Sequence, residues 1–397
     1  MRALVIAPQP FFTPRGTPFS VYYRTRTMAD LGIDIDLLTY GQGQDIEMPN
    51  VRIRRIPDFS IFGRVRTGPS LLKLFLDIFI GIYTLAMLLR HRYEIVHAHE
   101  EAAFIARFLK PLFGYRFIYD MHSSLPEQLE NFSFTRSRII TRIFEWLERT
   151  TVQAADAIVV ICPALVDTVA AIPGAADKVI LIENSLFDTV PVESDGTAGF
   201  DGESLRRAQQ WSEEGNPLVV YTGTLEAYQG IGLLLDAFCR VAKGREDVNL
   251  LIVGGQPEQV DAYRRRAEVL GIEKRCFFTG TVPQSVAMQC YEFAALSVSP
   301  RASGTNTPLK IYAQLASRVP IIATRIESHT QILGEEVAFL AEPDAAAFAD
   351  AMRQALDQPD IARSKAENAR RLYETEYGPD AYVGKMRRLL EMVDVGD

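Results

Sequence analysis

The residues whose types and spacing best suit ligand binding lie in one polar segment, SPRASGTNTPLK, at residues 299–310. An apolar run precedes this segment and an apolar helical pattern follows it, which predicts a strand end, a loop and a helix start. Thr307 would cap this helix, and Pro308 suits its first position. Arg301 and Lys310 flank the loop, which contains no acidic residue. A helix N-terminus between two cations suits an anion such as a phosphate.

Each of these residues also has a plainer interpretation. Arg301 and Lys310 could be surface charge near a loop, and Thr305, Asn306 and Thr307 could serve turn geometry and capping. The pair of cations around a helix start after a buried strand favours phosphate binding.

Histidines at predicted strand ends are candidates for a second site. His122 follows the strand in RFIYDMH, and His97 and His99 belong to the preceding strand, EIVHAH. The carboxyl ends of parallel strands form the ligand-binding edge of an open sheet. The alternative is a buried histidine whose hydrogen bonds are satisfied within the fold.

Length and composition restrict the class of protein. The 397 residues, 48% hydrophobic and 23% charged, indicate a globular chain of two domains. The net charge of −8 argues against a general nucleic-acid binder. Four cysteines without CxxC spacing and five histidines without HExxH argue against a disulfide framework and a metal site. This cysteine usage suits the reducing cytoplasm.

Short β-rich runs alternate with amphipathic helical patterns in two series, and a polar stretch rich in Gly at 188–202 separates them. The predicted fold class is α/β, with two Rossmann-like parallel-sheet domains that face a cleft. The predicted divisions are an N-terminal domain at 1–190, a linker region at 191–215, a C-terminal domain at 216–380 and a final helix at 381–397.

An apolar segment at 71–89, interrupted by Lys73 and Asp77, is borderline in length for a membrane span. Three interpretations compete: a helix packed on a sheet is favoured, partial contact of its exposed face with a membrane comes second, and a span is the least favoured. Residues 51–149 contain 15 basic and 10 acidic side chains, a net charge of +5. This asymmetry predicts peripheral contact of 64–92 with an anionic membrane, although clustered solvated arginines would explain it equally well. The cysteine usage and the lack of a signal-peptide pattern predict a cytoplasmic protein, and the basic, apolar segment predicts a peripheral position at the inner face of the membrane.

The segment YTGTLEAYQGIGLLLDAF at 221–238 resembles a signature of the retaining nucleotide-sugar glycosyltransferases with the GT-B fold, of the group 1 or family 4 type. That family has a strand, a Gly, a short loop, a second Gly and a Leu-rich helix, with Gly223 and Gly230 as the glycines here. The run from VNLLIVGG to LSVSP is similar to the family's nucleotide-binding region, and Gly254 ends its first strand. In the family, an Arg and a Lys in the first loop hold the donor diphosphate; Thr224 and Gln229 stand there in this chain.

The chain departs from the family where two glutamates eight positions apart are expected, because Thr305 and Ala313 stand at those positions. GTNTPLK resembles a divergent subgroup that lacks the paired glutamates and keeps Thr-Pro-x-Lys. Arg301 and Lys310 would then supply the cations missing from the first loop, since no nearby carboxylate weakens their action on a diphosphate. The predicted donor-binding residues are Gly223, Thr224, Gln229, Gly254, Arg301, Gly304, Thr305, Asn306, Thr307 and Lys310.

The resemblance implies an enzyme that moves a sugar from a nucleotide-diphosphate donor to a hydroxyl, with retention of configuration and without a metal or other cofactor. His122 would be the catalytic-site histidine that binds the sugar or the donor phosphate, and Arg15, Gly16 and His99 would lie on the acceptor side. The basic N-terminal half favours a lipid-linked acceptor in cell-envelope glycolipid or polysaccharide synthesis. The alternatives are a non-catalytic sugar-nucleotide-binding member or partner subunit, and a GT-B nucleotide-sugar epimerase.

Overall fold

The structure, a computed structural model, describes residues 1–13, 16–63, 65, 70–124, 138–184 and 202–393. The chain divides into two compact units of similar construction. Met1–Asn184 and Asp380–Asp397 form the first unit, and Ser185–Pro379 forms the second.

The first unit contains a parallel sheet of seven strands in the order β3-β2-β1-β4-β5-β6-β7. These strands are β1 (Arg2–Ala7), β2 (Asp34–Thr39), β3 (Val51–Arg55), β4 (Ile95–His99), β5 (Arg116–Met121), β6 (Ala157–Val160) and β7 (Val179–Leu181). The helices of its N-terminal part are α1 (Gly16–Asp30), α2 (Leu71–Arg90), α3 (Ala102–Phe113), α4 (Arg138–Ala154) and α5 (Pro163–Ala170). The central strands are almost entirely buried, as expected of parallel strands covered on both faces.

The second unit contains a parallel sheet of six strands in the order β10-β9-β8-β11-β12-β13. These strands are β8 (Leu218–Thr222), β9 (Asn249–Val253), β10 (Cys276–Phe278), β11 (Leu296–Ser299), β12 (Ile321–Thr324) and β13 (Ala338–Ala341). Its helices are α6 (Glu203–Glu213), α7 (Ile231–Ala242), α8 (Pro257–Leu270), α9 (Gln284–Gln289), α10 (Leu309–Ala316), α11 (Glu327–Thr330), α12 (Ala345–Asp357) and α13 (Pro359–Leu372). The predicted α/β class with two Rossmann-like parallel-sheet domains is therefore confirmed.

The last helix, α14 (Pro379–Val393), returns to the first unit. One face of it is buried, including Met386 and Leu389. Its Lys385 places Nζ 2.6 Å from Oε2 of the buried Glu183. This ion pair and the apolar face attach the chain's last helix to the unit in which the chain begins.

The structure adds two features to the predicted organisation: a strand that was not predicted, β3, and the packing of the helix predicted at 205–214 into the second unit. The alternation of strands and helices did not predict β3, because this edge strand carries Arg52, Arg54 and Arg55 and does not read as an apolar run. Within the region predicted as a linker, α6 buries Ala208 and Trp211 in the core of the second unit. The part of that region before residue 202 lies outside the described residues.

Helix α2 packs on the sheet with only one of its faces. Leu76, Ile80, Thr84 and Leu88, spaced by four residues, are its buried side chains, as expected of one helical stripe. By length and composition α2 could also cross a membrane. Its packing in the core of the first unit agrees with the favoured interpretation of a helix on a sheet.

The loop between β8 and α7 requires glycine at position 230. Gly230 has a φ of +74°, and an added Cβ would lie 1.9 Å from the backbone oxygen of Pro300. Gly215 has an almost identical φ of +75°, but a Cβ there would meet nothing within 4 Å. Alanine substitution at both positions therefore separates the free-energy cost of a left-handed backbone from the cost of a steric clash with Pro300.

We predict that Gly230→Ala lowers the free energy of unfolding by about 2 kcal/mol more than Gly215→Ala does, because both variants carry the cost of a left-handed residue and only the first also clashes. Urea unfolding followed by circular dichroism measures the difference. Equal losses in the two variants would contradict the close packing of the loops after β8 and β11.

Candidate active site

The strand order of the second sheet reverses between β8 and β11, which are neighbours. Open parallel sheets bind ligands outside the carboxyl ends of their strands at such a reversal. The loops after these two strands, at 223–230 and 300–308, contact each other directly, because the amide of Ala302 donates to the carbonyl of Tyr228 at 2.9 Å. The structure thus brings the predicted donor-binding residues of both loops together within one unit.

Lys310 extends from α10 to the loop after β8. Its Nζ lies 3.8 Å from the ring centroid of Tyr221 and donates to Oε1 of Gln229 at 3.1 Å. A Cβ at Gly223 would lie 3.1 Å from the same Nζ, so glycine leaves space beside the ammonium group. Burial, with the charge of Arg301 adding to it, holds the pKa of Lys310 well below its ordinary value. A bound anion would favour the charged form of this lysine.

Arg301 shapes the loop in which it lies. Its Nε donates to the carbonyl of Ser303 and its Nη1 to the carbonyl of Asn306, both at 2.7 Å. The guanidinium group lies over the ring of Tyr228, 5.3 Å from its centroid. Burial lowers the pKa of Arg301, although the two nearby tyrosine hydroxyls act in the opposite direction. None of the ion pairs found between described residues includes Arg301 or Lys310, so both cations lack a carboxylate partner there.

His329 is a buried neighbour of the two cations. Its Nε2 lies 2.9 Å from Oγ of Ser299, and its Nδ1 lies 2.9 Å from the carbonyl of Thr324. Burial lowers the pKa of His329 to about 4, with the charges of Lys310 and Arg301 adding to the effect and the carbonyl of Thr324 opposing it. His329 is therefore neutral at pH 7, and it supports the loop without adding charge.

Helix α10 begins later than predicted. Pro308 is its N-cap, in an extended conformation, and no side chain caps the helix. The prediction that Thr307 caps α10 is therefore wrong, because the first helical residue is Leu309 and the hydroxyl lies one position too early. The Oγ1 of Thr307 is buried, and no described residue forms a hydrogen bond with it. A buried hydroxyl in this state is available to a ligand oxygen.

The remaining predicted donor-binding residues surround these side chains. Thr224 and Thr305 are exposed in the two loops. Gly304 adjoins Arg301 so closely that an added Cβ would lie 2.2 Å from Nη2. Gly254 follows β9, the neighbour of β8 on its other side, and forms an isolated bridge with Gly280.

In the first unit, the buried carboxylate of Asp120 gathers four basic side chains. Its Oδ1 lies 2.7 Å from Nη1 of Arg24 and 3.1 Å from Nε2 of His122. Its Oδ2 lies 2.8 Å from Nε2 of His97 and 3.3 Å from Nδ1 of His99. The parallel register of β4 and β5 pairs His99 with Asp120 and so places the carboxylate among the rings.

Opposing effects act on the charge of this cluster. Burial alone would raise the pKa of Asp120, but the charge of Arg24 and the contacts with His99 and His122 outweigh it and hold this pKa well below its ordinary value. Burial holds the pKa of His99 well below its ordinary value, although Asp120 opposes the effect. The cluster therefore contains a permanent carboxylate paired with Arg24 and a neutral His99 at pH 7.

His97, His99 and Asp120 also have their ligand atoms within 4.8 Å of one another, close enough to hold a metal ion. The guanidinium group of Arg24 donates to the same carboxylate at 2.7 Å and would repel a divalent cation. This donor set therefore suits a hydrogen-bond network that orients the histidines better than it suits a metal centre.

The predicted His122 and His99 lie in this one cluster, with Nε2 of the first 3.4 Å from Nδ1 of the second. Gly16 is the first residue of α1, the helix that supplies Arg24. The predicted acceptor-side residue Arg15 lies outside the described residues.

Asp120 and Arg24 belong to this cluster but were not among the predicted site residues. An acidic residue inside the apolar strand RFIYDM is a usable signal for Asp120, because a buried carboxylate requires charged or hydrogen-bonding partners. For Arg24 the sequence contains no comparable signal. The same helix carries a second arginine two residues later, Arg26, which is half-exposed, and nothing in the sequence tells which of the two is buried.

Comparison with known proteins supports the same pair of domains. The descriptions of the two matching families are "Glycosyl transferase 4-like domain" for residues 16–185 and "Glycosyl transferases group 1" for residues 216–358. The 2-deoxystreptamine glucosyltransferase of Streptomyces kanamyceticus is 24% identical over 368 residues, which cover 89% of this chain and 93% of that protein.

Solved structures with a similar fold cover both units. Sucrose-phosphate synthase from Thermosynechococcus elongatus has a TM-score of 0.73 at 19% identity, covering 99% of this chain and 98% of that chain. Anabaena HepE in complex with UDP-glucose has a TM-score of 0.68 at 14% identity, covering 99% of each chain. These likenesses and the two parallel sheets define a protein of the GT-B fold. With glycosyltransferase domains matched in both halves, the chain is a GT-B glycosyltransferase.

We predict that Asp120→Asn lowers the free energy of unfolding by about 3–5 kcal/mol, because it leaves the buried Arg24 without its counter-charge. Asp45→Asn is the matched control: Asp45 also pairs with an arginine, Arg55, at 2.6 Å, but its side chain is 83% exposed, and we expect a loss of about 0–1 kcal/mol. Urea unfolding at pH 7 measures both values.

The same network predicts the sign of the pH dependence. Because the pKa of Asp120 is depressed by folding, its stabilisation is complete above the unfolded-state value of about 3.9 and is lost as the pH falls through the lower folded-state value. The neutral His99 adds acid sensitivity from about pH 6.5 downwards, since the unfolded chain binds the proton more readily. An unfolding free energy that does not fall between pH 7 and pH 3 would contradict this assignment.

Proposed function

We propose that this glycosyltransferase moves a sugar from a nucleotide-diphosphate donor to a hydroxyl acceptor, with retention of configuration and without a metal. The observation that carries the proposal is the pair of cations, Arg301 and Lys310, that meet no described carboxylate beside the reversal point of the second sheet. A diphosphate is the part of the donor whose charge matches this pair. The UDP-glucose bound to HepE supports the choice of a nucleotide sugar.

Lys310 would take over the work that the family assigns to a lysine in the loop after β8. Its Nζ lies 3.1 Å from Oε1 of Gln229, so the ammonium group reaches the side chain that stands at the family's lysine position. The cation is thus supplied from α10 and not from the loop. Arg301, held over Tyr228, would supply the second charge.

In the transfer step, the bond between the anomeric carbon and the donor phosphate oxygen breaks, and the acceptor oxygen bonds to the same face of that carbon. The acceptor proton passes to the departing diphosphate. Arg301 and Lys310 stabilise the negative charge that develops on this leaving group, which is the work a metal performs in other transferases. His122, oriented by Asp120, would bind the sugar or the donor phosphate, with His99 on the acceptor side.

The proposed acceptor is a lipid-linked hydroxyl of cell-envelope glycolipid or polysaccharide synthesis, met at the inner face of the membrane by a cytoplasmic protein. The net charge of +5 over residues 51–149 and the apolar helix α2 support this choice.

The central experiment incubates the purified chain with a panel of sugar nucleotides and an acceptor extract. We expect release of nucleoside diphosphate that requires both substrates and persists in EDTA, and a product whose anomeric configuration by NMR matches that of the donor. Tight donor binding without release would indicate a binding subunit. Conversion of the sugar without release would indicate an epimerase, and an inverted product would overturn the retaining mechanism.

We predict that Lys310→Gln weakens donor binding about 10- to 100-fold, because hydrogen bonds to charged groups contribute about 1.5–3 kcal/mol. The same variant should keep or raise the free energy of unfolding, since it removes a desolvated ammonium group whose partner is the neutral Gln229. Calorimetric titration with the donor nucleotide and urea unfolding separate the two effects. Lys274→Ala, at an exposed position of the same unit, is the control that should change neither.

Exchange of the two side chains tests whether the ammonium group can act from either element. We predict that Gln229→Lys combined with Lys310→Gln recovers most of the affinity lost in Lys310→Gln alone, because the two polar atoms are 3.1 Å apart. Donor affinity of the double variant no better than that of Lys310→Gln would contradict the proposed relocation of the charge.

A further inference from the structure

Exposed apolar side chains are concentrated on three helices of the first unit. Among the described residues, eleven of the sixteen large hydrophobic side chains that are exposed belong to α2, α3 or α4. Helix α3 packs against both α2 and α4, so the three helices lie side by side. We call their exposed apolar side chains the three-helix surface, which comprises Leu71, Leu74, Phe75, Ile78, Ile82, Leu85, Leu89, Phe108, Leu112, Ile143 and Trp146.

Helix α2 contributes most of this surface through a face that its packing does not use. Its buried stripe runs through Leu76, Ile80, Thr84 and Leu88. The exposed members recur every three or four residues and therefore form a second stripe, about half a turn away. Ile78 and Ile82 are 61% and 55% exposed. A helix that is apolar on both faces requires a second apolar environment in addition to the protein core.

Helices α3 and α4 extend the surface with aromatic and basic groups. Trp146 is 53% exposed and Phe108 is 57% exposed. The guanidinium group of Arg107 lies 5.1 Å from the ring centroid of Trp146 and 4.7 Å from that of Phe108. Tryptophan and arginine with an apolar body and a polar end are the side chains typical of a membrane interface.

The charge of these helices favours an anionic partner. Helices α2, α3 and α4 contain seven basic and three acidic residues. Of the three acids, Asp77 accepts a hydrogen bond from Tyr40 at 2.6 Å, Glu148 is buried and Glu145 is exposed. Two of the basic residues, Lys73 and Lys110, form ion pairs with acids outside these helices. Arg90 and Arg142 are exposed beside the apolar side chains. An apolar stripe with basic flanks matches the surface of a bilayer that contains anionic lipid.

We propose that the three-helix surface binds the surface of an anionic lipid bilayer, with α2 lying in the plane of the interface. A span is incompatible with the packing of α2, because its buried stripe is part of the core of the first unit and Lys73 is paired with Glu101 at 2.6 Å. The inference deepens the proposed function by naming the surface at which a lipid-linked acceptor would be met.

The test is co-sedimentation of the full chain with vesicles of phosphatidylcholine, with and without phosphatidylglycerol. We expect binding that requires phosphatidylglycerol and weakens as salt rises. The double variant Ile78→Glu with Ile82→Glu should reduce vesicle partitioning at least about tenfold, since it places two charges in the stripe that enters the interface. The matched control is Val269→Glu with Ile361→Glu, two exposed apolar positions of the second unit, which should bind as the parent does.

Fluorescence supplies a second readout. The chain has two tryptophans, of which Trp146 is exposed and Trp211 is 7% exposed in the second unit. Vesicles should shift the emission to shorter wavelength, and Trp146→Phe should remove that shift while preserving sedimentation with vesicles.

Vesicle binding requires no turnover, so this inference and the proposed function fail separately. Equal vesicle binding by the two double variants would overturn the inference. A second result would also overturn the inference: the parent chain does not bind vesicles but forms a concentration-dependent dimer, and the double variant Ile78→Glu with Ile82→Glu abolishes that dimer. A second copy of the chain would then cover the three-helix surface. Urea unfolding of each variant verifies that it is folded.

Discussion

The proposed donor site depends on two cations, Lys310 and Arg301, that meet no carboxylate among the described residues. Lys310 is desolvated against Tyr221 and donates to a neutral amide, while Arg301 is held by backbone carbonyls. A desolvated cation without a counter-charge costs free energy, and an anion that enters the site recovers part of it. The reversal of strand order between β8 and β11 brings the two loops together, and the glycines of these loops leave room beside the cations. The packing of the two loops therefore holds both cations where no described carboxylate meets them.

In the first unit, by contrast, the buried charge of Asp120 has a counter-charge within the fold. Asp120 is fully buried, but Arg24 balances its charge, and the rings of three histidines lie within 3.3 Å of its oxygens. Because α1 supplies Arg24, β4 supplies His97 and His99, and β5 supplies Asp120, the pair also fixes how these elements meet. A hydrogen-bonded cluster of this kind restricts the orientations of its rings, which is what a residue that positions a substrate needs. In the proposed function, the second unit offers two cations to a donor phosphate, and the first unit offers polar groups that Asp120 orients.

Local patterns in the sequence predicted the architecture well, because parallel strands covered by helices read as repeated apolar runs separated by amphipathic segments. The same reasoning placed the predicted donor-binding residues after strands, and the structure brings Arg301, Lys310 and Gln229 together. The details that failed depend on single backbone positions or on contacts distant in sequence. The start of α10 moved by one residue and removed Thr307 from the cap, and Arg24 meets Asp120 across 96 positions. Neither spacing nor propensity contains that information.

Helix α2 shows why the hydropathy of a segment does not tell which apolar residues pack in the core and which remain exposed. Folding uses only the stripe through Leu76 and Ile80, so the opposite stripe is free to differ without loss of the core. On an ordinary surface helix that second face would be polar, since the fold gains nothing from exposing Ile78 and Ile82. Because both faces of α2 are apolar, the linear sequence of the helix is almost entirely apolar and resembles a membrane span. The structure separates the two faces, because it buries one stripe in the core of the first unit and leaves Ile78 and Ile82 exposed.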